Sequence, residues 1–411
     1  MKLKFRKSAV ASIAAMTMIC SSLAGICYAE NEIPAEETVS AAVKAETKKK
    51  LTEITAVKTD FDRCVESLAA DDGQVYYIGH NEKAASYIFT LDEEGNVSAI
   101  SMLTKNYANP EIRQAGGKIF VFYNAIEDFE ALAAEDEDFS EADIMLMGGG
   151  IKDLYMIVFD RELNRLGSYD MTSISKDHYS QFVGVNSGQV CYSDGMNSRK
   201  LYISNYDGSD KKLLLDMKDT DHSDLFIDSV AMTETHAAVT LSDRRSSEIR
   251  RTYCGVVDLE TGEFTIERHD DACSPEAYGN IIRWDSNYDW ITPYQKEGHV
   301  LPKELVLFDG NEFRTMTTER PAEIGMVGSV IDSDGRIVTC DYGKNRVFRV
   351  YENGVCIQTI RLNQDDYCPD GATGFTMSFR SANKGIISVI CGYFIDGKYY
   401  STPIMIPYGN E

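Results

Sequence analysis

Very little in this sequence names a chemistry, and each absence removes a class of function. Only two tryptophans and six histidines occur in 411 residues, and the histidines (His80, His178, His222, His236, His269 and His299) are scattered. No H-E-x-x-H helix, P-loop or dinucleotide fingerprint is present, which removes the commonest metalloprotease, nucleotide and dehydrogenase signatures. A G-x-S-x-G nucleophile elbow is also missing, and with it the α/β-hydrolase triad. There is no C-x-x-C pair, so no clustered zinc-ligand set can be read, and neither a metal nor a cofactor is expected. Basic charge is scarce: 41 Lys and Arg face 65 Asp and Glu, for a formal charge of −24. Such a surface repels nucleic acid and anionic headgroups, and solubility alone accounts for it. Beyond the first 29 residues no apolar run is long enough to cross a membrane, and no long amphipathic helix can be drawn.

The one long apolar run lies at the beginning. Lys2, Lys4, Arg6 and Lys7 precede an apolar stretch from about Ala9 to Ile26, then Cys27-Tyr28-Ala29 and the acidic Glu30. Basic, apolar and small-residue regions in that order make a secretory signal peptide over residues 1–29. The alternatives are a membrane anchor and a lipoprotein signal at Cys20 or Cys27, though Ile19 and Ile26 stand where a lipobox needs small residues. Cleavage after residue 29 takes the charge from −24 to −28 and leaves eight cysteines. An exported chain permits disulfides. Cys64, Cys273 and Cys368, in polar surroundings, are the bridge candidates, while Cys191, Cys340 and Cys391 in apolar runs read as buried thiols. Residues 30–50 read as a flexible or helical spacer.

From residue 51 to 411 the chain is all-β, with short apolar runs broken by Gly, Asn and Asp. A repeat organises them. A strand such as Val75-Tyr76-Tyr77-Ile78 or Ile119-Phe120-Val121-Phe122 follows a turn, and a second strand follows it and ends in an acid. Leu201 to Asp207, Val256-Val257-Asp258 and Leu305 to Asp309 are examples of the second. A tight turn comes next, with glycine at 208, 262, 310 and 354, spaced by 54, 48 and 44 residues. Four-stranded propeller blades recur every 40 to 50 residues or so. The expected fold is a β-propeller of seven four-stranded blades, with six or eight as alternatives. Its last unit supplies three strands, and Ile54 to Val57 near the N-terminus closes it as the fourth, removing exposed sheet edges.

Lys200 to Leu213, reading KLYISNYDGSDKKL, resembles the repeat of WD40-like bacterial propellers of the TolB and tricorn types, and of secreted proteins from Gram-positive anaerobes. The resemblance covers one blade. It implies a propeller fold and carries no functional residue, because that group performs many unrelated tasks.

Two segments stand out as candidate sites. An insertion at about 124–152, between the second and third strands of the second unit, carries Glu127, Asp128, Phe129, Glu135, Asp136, Glu137, Asp138 and Phe139. The alternating acid–glycine order of a calcium loop is missing from it. It reads as a solvated acidic loop, or as a lid or partner contact. The second segment holds Trp284, Asp285, Tyr288, Asp289, Trp290 and Tyr294. Aromatic rings with nearby acids make a platform for sugars or apolar ligands, and the alternative is that the tryptophans pack between blades. Sialidase-type Asp boxes are absent. The chain therefore reads as an extracellular, non-enzymatic module binding a protein or glycan through a propeller face. A hydrolase or lyase acting on polysaccharide at the channel mouth is the second reading, and a site assembled from separate blades stays open.

Overall fold

The computed structural model describes residues 55–56, 63–80, 86–92, 96–103, 107–126, 151–175, 179–195, 197–243, 251–269, 272–286, 304–317, 324–342 and 345–409. Short strands in antiparallel meanders account for nearly all of it. The first meander is β2 (Arg63–Ala69), β3 (Val75–His80), β4 (Ser86–Leu91) and β5 (Val97–Met102). The second is β6 (Tyr107–Ala115), β7 (Lys118–Ile126), β8 (Ile151–Phe159) and β9 (Arg165–Asp170), and the third β10 (Val183–Val185), β11 (Gln189–Ser193), β12 (Lys200–Asn205) and β13 (Lys212–Asp216). Then come β14 (Phe226–Met232), β15 (His236–Asp243), β16 (Arg251–Asp258) and β17 (Phe264–Arg268), and β18 (Ala272–Tyr278), β19 (Ile281–Ser286), β20 (Glu304–Phe308) and β21 (Phe313–Thr317). The sixth is β22 (Ile324–Ile331), β23 (Ile337–Tyr342), β24 (Asn345–Glu352) and β25 (Val355–Asn363). The last is β26 (Thr373–Asn383), β27 (Ile386–Ile395) and β28 (Lys398–Pro407), against which β1 (Thr55–Ala56) pairs. A single parallel bridge, Arg63 to Ser401, joins the last meander to the first in one eight-stranded sheet. The other five sheets are separate and four-stranded, so hydrogen bonding does not run round as one sheet.

Apolar packing holds the sheets together, and the sequence shows why. In Ile119-Phe120-Val121-Phe122 every residue is apolar, as in a strand buried on both faces. Ile119 and Val121 pack with Tyr76 and Ile78 of the first sheet, while Phe120 and Phe122 pack with Val183 and Val190 of the third. The same division recurs along the chain. Val190 and Tyr192 face the second sheet and Cys191 the fourth; Ala237 and Val239 face the third and Ala238 the fifth. Leu305 and Met316 meet Ile331 and Ile337; Val338 and Phe348 meet Ile387 and Val389. Ile390 closes back on Cys64, Tyr77 and Phe89 of the first sheet. Four-stranded meanders stacked face to face in chain order are the β-propeller type of architecture. Each fully buried Phe or Tyr in these layers contributes about 1.5–3 kcal/mol.

The recurring acid has a local cause. Asp92, Asp160, Asp207, Asp258 and Asp309 end third strands, and each accepts turn N–H groups on its own Oδ1. Asp258 takes those of Glu260 at 2.9 Å and Thr261 at 2.7 Å. These are Asx turns, in which the side chain does the work of a turn carbonyl. Glycine is obligatory at one crowded turn: Gly116, at φ +53°, brings its Cα so near the third sheet that a Cβ would lie 2.1 Å from Ser187 Cβ.

Two expectations about cysteine change. Cys64 is no surface bridge candidate; it is buried in β2, where alternation turns it into the core between the last and first sheets. Cys191, Cys340 and Cys391 are buried free thiols, and burial pushes all three above their ordinary range. Cys368 is free and half-buried, and the side chain of Cys273 lies outside the described residues.

Candidate functional site

In an antiparallel meander, the turn between strands one and two and that between strands three and four fall at the same end. At that end an open cavity of about 560 Å³ lies between the fourth and fifth meanders. Glu234, Thr235 and His236 line it from the β14–β15 turn, and Asp258, Leu259 and Glu260 from the β16–β17 turn. Asn280 follows β18, and Asp309, Gly310 and Asn311 follow β20.

His236 is the most enclosed polar group of this wall, at 9% exposure. Its Nδ1 is 2.8 Å from Thr235 Oγ1, and its ring meets the Phe308 ring edge-on at 5.1 Å. Nε2 stands 3.6 Å from Asp258 Oδ2, an ion-pair distance too long for a hydrogen bond. Burial lowers the His236 pKa, and the Asp258 carboxylate only partly opposes that, so the ring is neutral at neutral pH. Asp258 is held below the usual carboxylate range, first by the Thr261 N–H and hydroxyl. Burial would raise Asp309, but the Glu312 and Asn311 N–H groups and Arg314 outweigh it. The turn geometry that shapes the chain thus also keeps two acids ionised at the cavity rim.

A second polar set lies where the first strands of the meanders gather. Register slips by β-bulges in six of these seven strands, for example between Cys64 and Glu66 and between Phe379 and Ser381. Bulges re-aim side chains. Glu66 Oε2 meets Arg380 Nη1 at 3.4 Å across two meanders. Arg113 grips Glu111 with both arms, at 2.6 and 2.9 Å, and the Ser180 hydroxyl donates to the same carboxylate at 2.7 Å. The two glutamates titrate in opposite directions. Burial raises Glu66, reinforced by the Glu111 charge and incompletely offset by Arg380. Burial would raise Glu111 too, but Arg113 and Ser180 bring it below its ordinary value. Farther round, Arg283 pairs with Glu276 and donates to Ser329 of the next meander.

Of the residues singled out in the sequence, Trp284 is fully buried among Ala238, Val256, Ile282, Val306 and Phe308, with Phe313 at 5.8 Å. Its ring belongs to the core between the fourth and fifth sheets rather than to a stacking face. The backbone of Asp285 continues β19, paired with Leu305. Tyr288, Asp289, Trp290 and Tyr294 lie outside the described residues, as does the insertion with Glu127, Asp128, Phe129, Glu135, Asp136, Glu137, Asp138 and Phe139. The strand ends flanking these segments, Ile126 with Ile151 and Ser286 with Glu304, lie at the end of the meanders opposite the cavity. Sequence reasoning missed the cavity. Asp258 and Asp309 were visible in it as turn acids, and His236 as one of six scattered histidines. Among the described residues no three His, Cys, Asp or Glu side chains form a metal-ligand set, and no helix is long and apolar enough to cross a membrane.

No family model matches the sequence, and no curated protein matches it. Similar solved structures are propeller-containing proteins. The β-propeller domain of the trilobed protease from Pyrococcus furiosus is 12% identical, with a TM-score of 0.45 over 83% of this chain and 97% of that one. YCF48 bound to D1 peptide is 8% identical, with a TM-score of 0.42 over 88% of this chain and 98% of that one. The acylaminoacyl peptidase of Pyrococcus horikoshii is 12% identical, with a TM-score of 0.38 over 74% of this chain. The chain spans less than half the length of that peptidase, 46%. The propeller assignment made above rests on the sheets and their packing.

Proposed function

We propose that this chain is an exported, seven-bladed propeller that acts as a non-enzymatic binding module, recognising a protein or glycan through a propeller face. The observation that carries the reading is the open cavity between the fourth and fifth meanders. At about 560 Å³ it falls within the ~300–1,000 Å³ of ordinary ligand sites, and its polar groups come from four separate turns. The pairing of β1 with β28 supports the count of seven, since it gives the last meander a fourth strand. The basic, apolar and small-residue order of residues 1–29 supports export. The acidic insertion and the Trp284 to Tyr294 stretch would serve as further partner contacts.

The test is a glycan-array and pull-down screen with the mature chain, repeated with Asn280→Trp, which fills the cavity mouth. Ligands bound by the first and lost by the second support the reading. No ligand at all, or binding untouched by the substitution, overturns it.

One observation favours the second reading, a hydrolase or lyase. Glu66 and Glu111 are acids whose surroundings push their proton affinities apart, as in an acid–base pair. Turnover of a polysaccharide or lactone, abolished by Glu66→Gln, would establish it; a panel without turnover removes it.

A further inference from the structure

The described cysteines are spread unevenly over the layers between sheets. Cys64 packs between the last and first sheets, Cys191 between the third and fourth, Cys254 between the fourth and fifth, and Cys356 between the fifth and sixth. The layer between the sixth and last sheets holds two buried thiols, Cys340 of β23 and Cys391 of β27. A third belongs to the connector that carries the chain from β25 to β26. Its Tyr367 packs against the same layer, and half-buried Cys368 follows directly.

Geometry chooses between the two partners open to Cys391. A disulfide needs Cα atoms about 4.4–6.8 Å apart and cannot close beyond ~7 Å without backbone movement. Sheets packed face to face stand about 10 Å apart, which holds Cys340 and Cys391, each on a strand hydrogen-bonded within its own sheet, beyond that reach. The connector is under no such constraint. Residues 367–372 belong to no sheet, and the chain turns there at Gly371, with φ +77°. Two of its side chains register Cys391. Burial raises the Tyr367 phenol, and the charges of Asp366 and Cys391 add to the rise. Burial likewise pushes the Cys391 thiol up to about 12; Arg346 opposes this and the Cys368 charge adds to it. Both connector side chains thus lie within electrostatic reach of the Cys391 sulfur.

We infer that Cys368 and Cys391 form a disulfide under oxidising conditions, tying the connector between the sixth and last sheets to β27. The bridge fastens the chain to the sheet that joins its two ends, since β28, the neighbour of β27, pairs with both β1 and β2. The inference rests on the export reading only for the place where an oxidant is met. That oxidant is itself a disulfide. The half-buried Cys368 thiolate attacks one of its sulfurs, giving a mixed disulfide and releasing one thiol, and the Cys391 thiolate then displaces the second. Two protein thiols become one S–S bond, and the oxidant leaves as two thiols carrying both protons.

The mature chain is equilibrated with oxidised and reduced glutathione, its remaining thiols are alkylated, and it is digested with trypsin without reductant. Cleavage after Arg361, Arg380, Lys384 and Lys398 leaves each cysteine alone in its peptide, 362–380 and 385–398. The expected product is these two peptides joined, lighter than their sum by two hydrogens. Reduction should then lower the wild-type Tm by about 4 °C more than that of Cys368→Ser, the loop-closure effect of a bridge between residues 23 positions apart. Alkylated Cys368 and Cys391 in the oxidised chain overturn the inference. So does peptide 362–380 joined to 337–344, which carries Cys340. A pair joined in the glutathione mixture, in a chain that cells do not export, removes the export reading and leaves the disulfide. Alkylated thiols in a chain recovered outside the cell do the reverse.

Discussion

Replacing Trp284 by alanine tests whether that residue belongs to the core or to a ligand platform. Its side chain is fully buried between the fourth and fifth sheets, and removing a buried aromatic costs about 3–5 kcal/mol in lost transfer energy and residual cavity. Unfolding entropy near 60 °C is about 2.1 cal/mol/K per residue, so a chain of this length unfolding as one unit should lose ~5 °C in Tm. Trp284→Phe should cost clearly less. The indole Nε1 is buried without an acceptor among the described residues, and phenylalanine removes that orphaned donor, returning part of an expected ~1–3 kcal/mol penalty. The assay is urea unfolding followed by far-UV circular dichroism, with native emission read separately in Trp290→Phe, where Trp284 is the sole indole. Blue-shifted native emission and a midpoint order of wild type, Phe, then Ala are expected. Because Phe308 packs against both Trp284 and His236, the alanine variant should also loosen the cavity wall. An unchanged midpoint in Trp284→Ala would refute the core assignment.

Three further outcomes follow from the turns and the titrating groups. Gly116→Ala should cost more than about 2 kcal/mol, because it combines a φ of +53° with a Cβ 2.1 Å from Ser187; Gly117→Ala, at φ +77° in open space, should cost only ~1 kcal/mol. Urea midpoints of the two variants check this, and equal shifts would contradict the crowding at Ser187. Tyr408→Phe removes a 2.7 Å hydrogen bond from the buried phenol to Asp332 Oδ2 and should cost about 1.5–3 kcal/mol, read by the same midpoints; no loss would show the bond to be idle. Stability should fall as pH drops from 7 through the range below 6.5. His236 has a lowered folded pKa, so the unfolded chain takes up its proton first. His236→Gln should flatten that step in Tm. At lower pH the two glutamates act oppositely: the contribution of Glu111 is lost as pH falls through its lowered value, while Glu66, with a raised one, binds its proton first in the folded chain and adds stability.

Much of the fold was legible because its cause is local. The run Ile119-Phe120-Val121-Phe122 announces a strand buried on both faces, and that is what the layered sheets require of every second strand. The recurring acid and glycine mark the third-to-fourth turns, and Thr55 with Ala56 pairs with β28 as the repeat count asked. First strands were harder to see. In β2 and β6, polar residues such as Glu66, Glu111 and Arg113 interrupt the apolar pattern, and bulges break the two-residue period on which strand reading depends. Cys64 was misplaced for the same reason: its polar sequence neighbours belong to the interior of a bulged strand, not to the surface.

The cavity was illegible for a different reason, and that reason bears on what the acids do. Its lining comes from four turns between Glu234 and Asn311, each of which looks like ordinary hairpin chemistry on its own. A turn acid uses one carboxylate oxygen on backbone N–H groups, and nothing local dictates where the other points. Pairing of β15 with β16 sets Asp258 opposite His236, and only the packing of the fourth sheet on the fifth brings the two near the Asp309 turn. The fold therefore accounts for an oxygen-bearing side chain at position 258, whose Oδ1 accepts the turn N–H groups of Glu260 and Thr261. It also favours the negative charge there, because the Thr261 N–H and hydroxyl and the Glu260 N–H hold the carboxyl below its usual range. What the turn leaves open is the placement of Asp258 Oδ2, which strand pairing sets 3.6 Å from His236 Nε2 at the edge of the cavity.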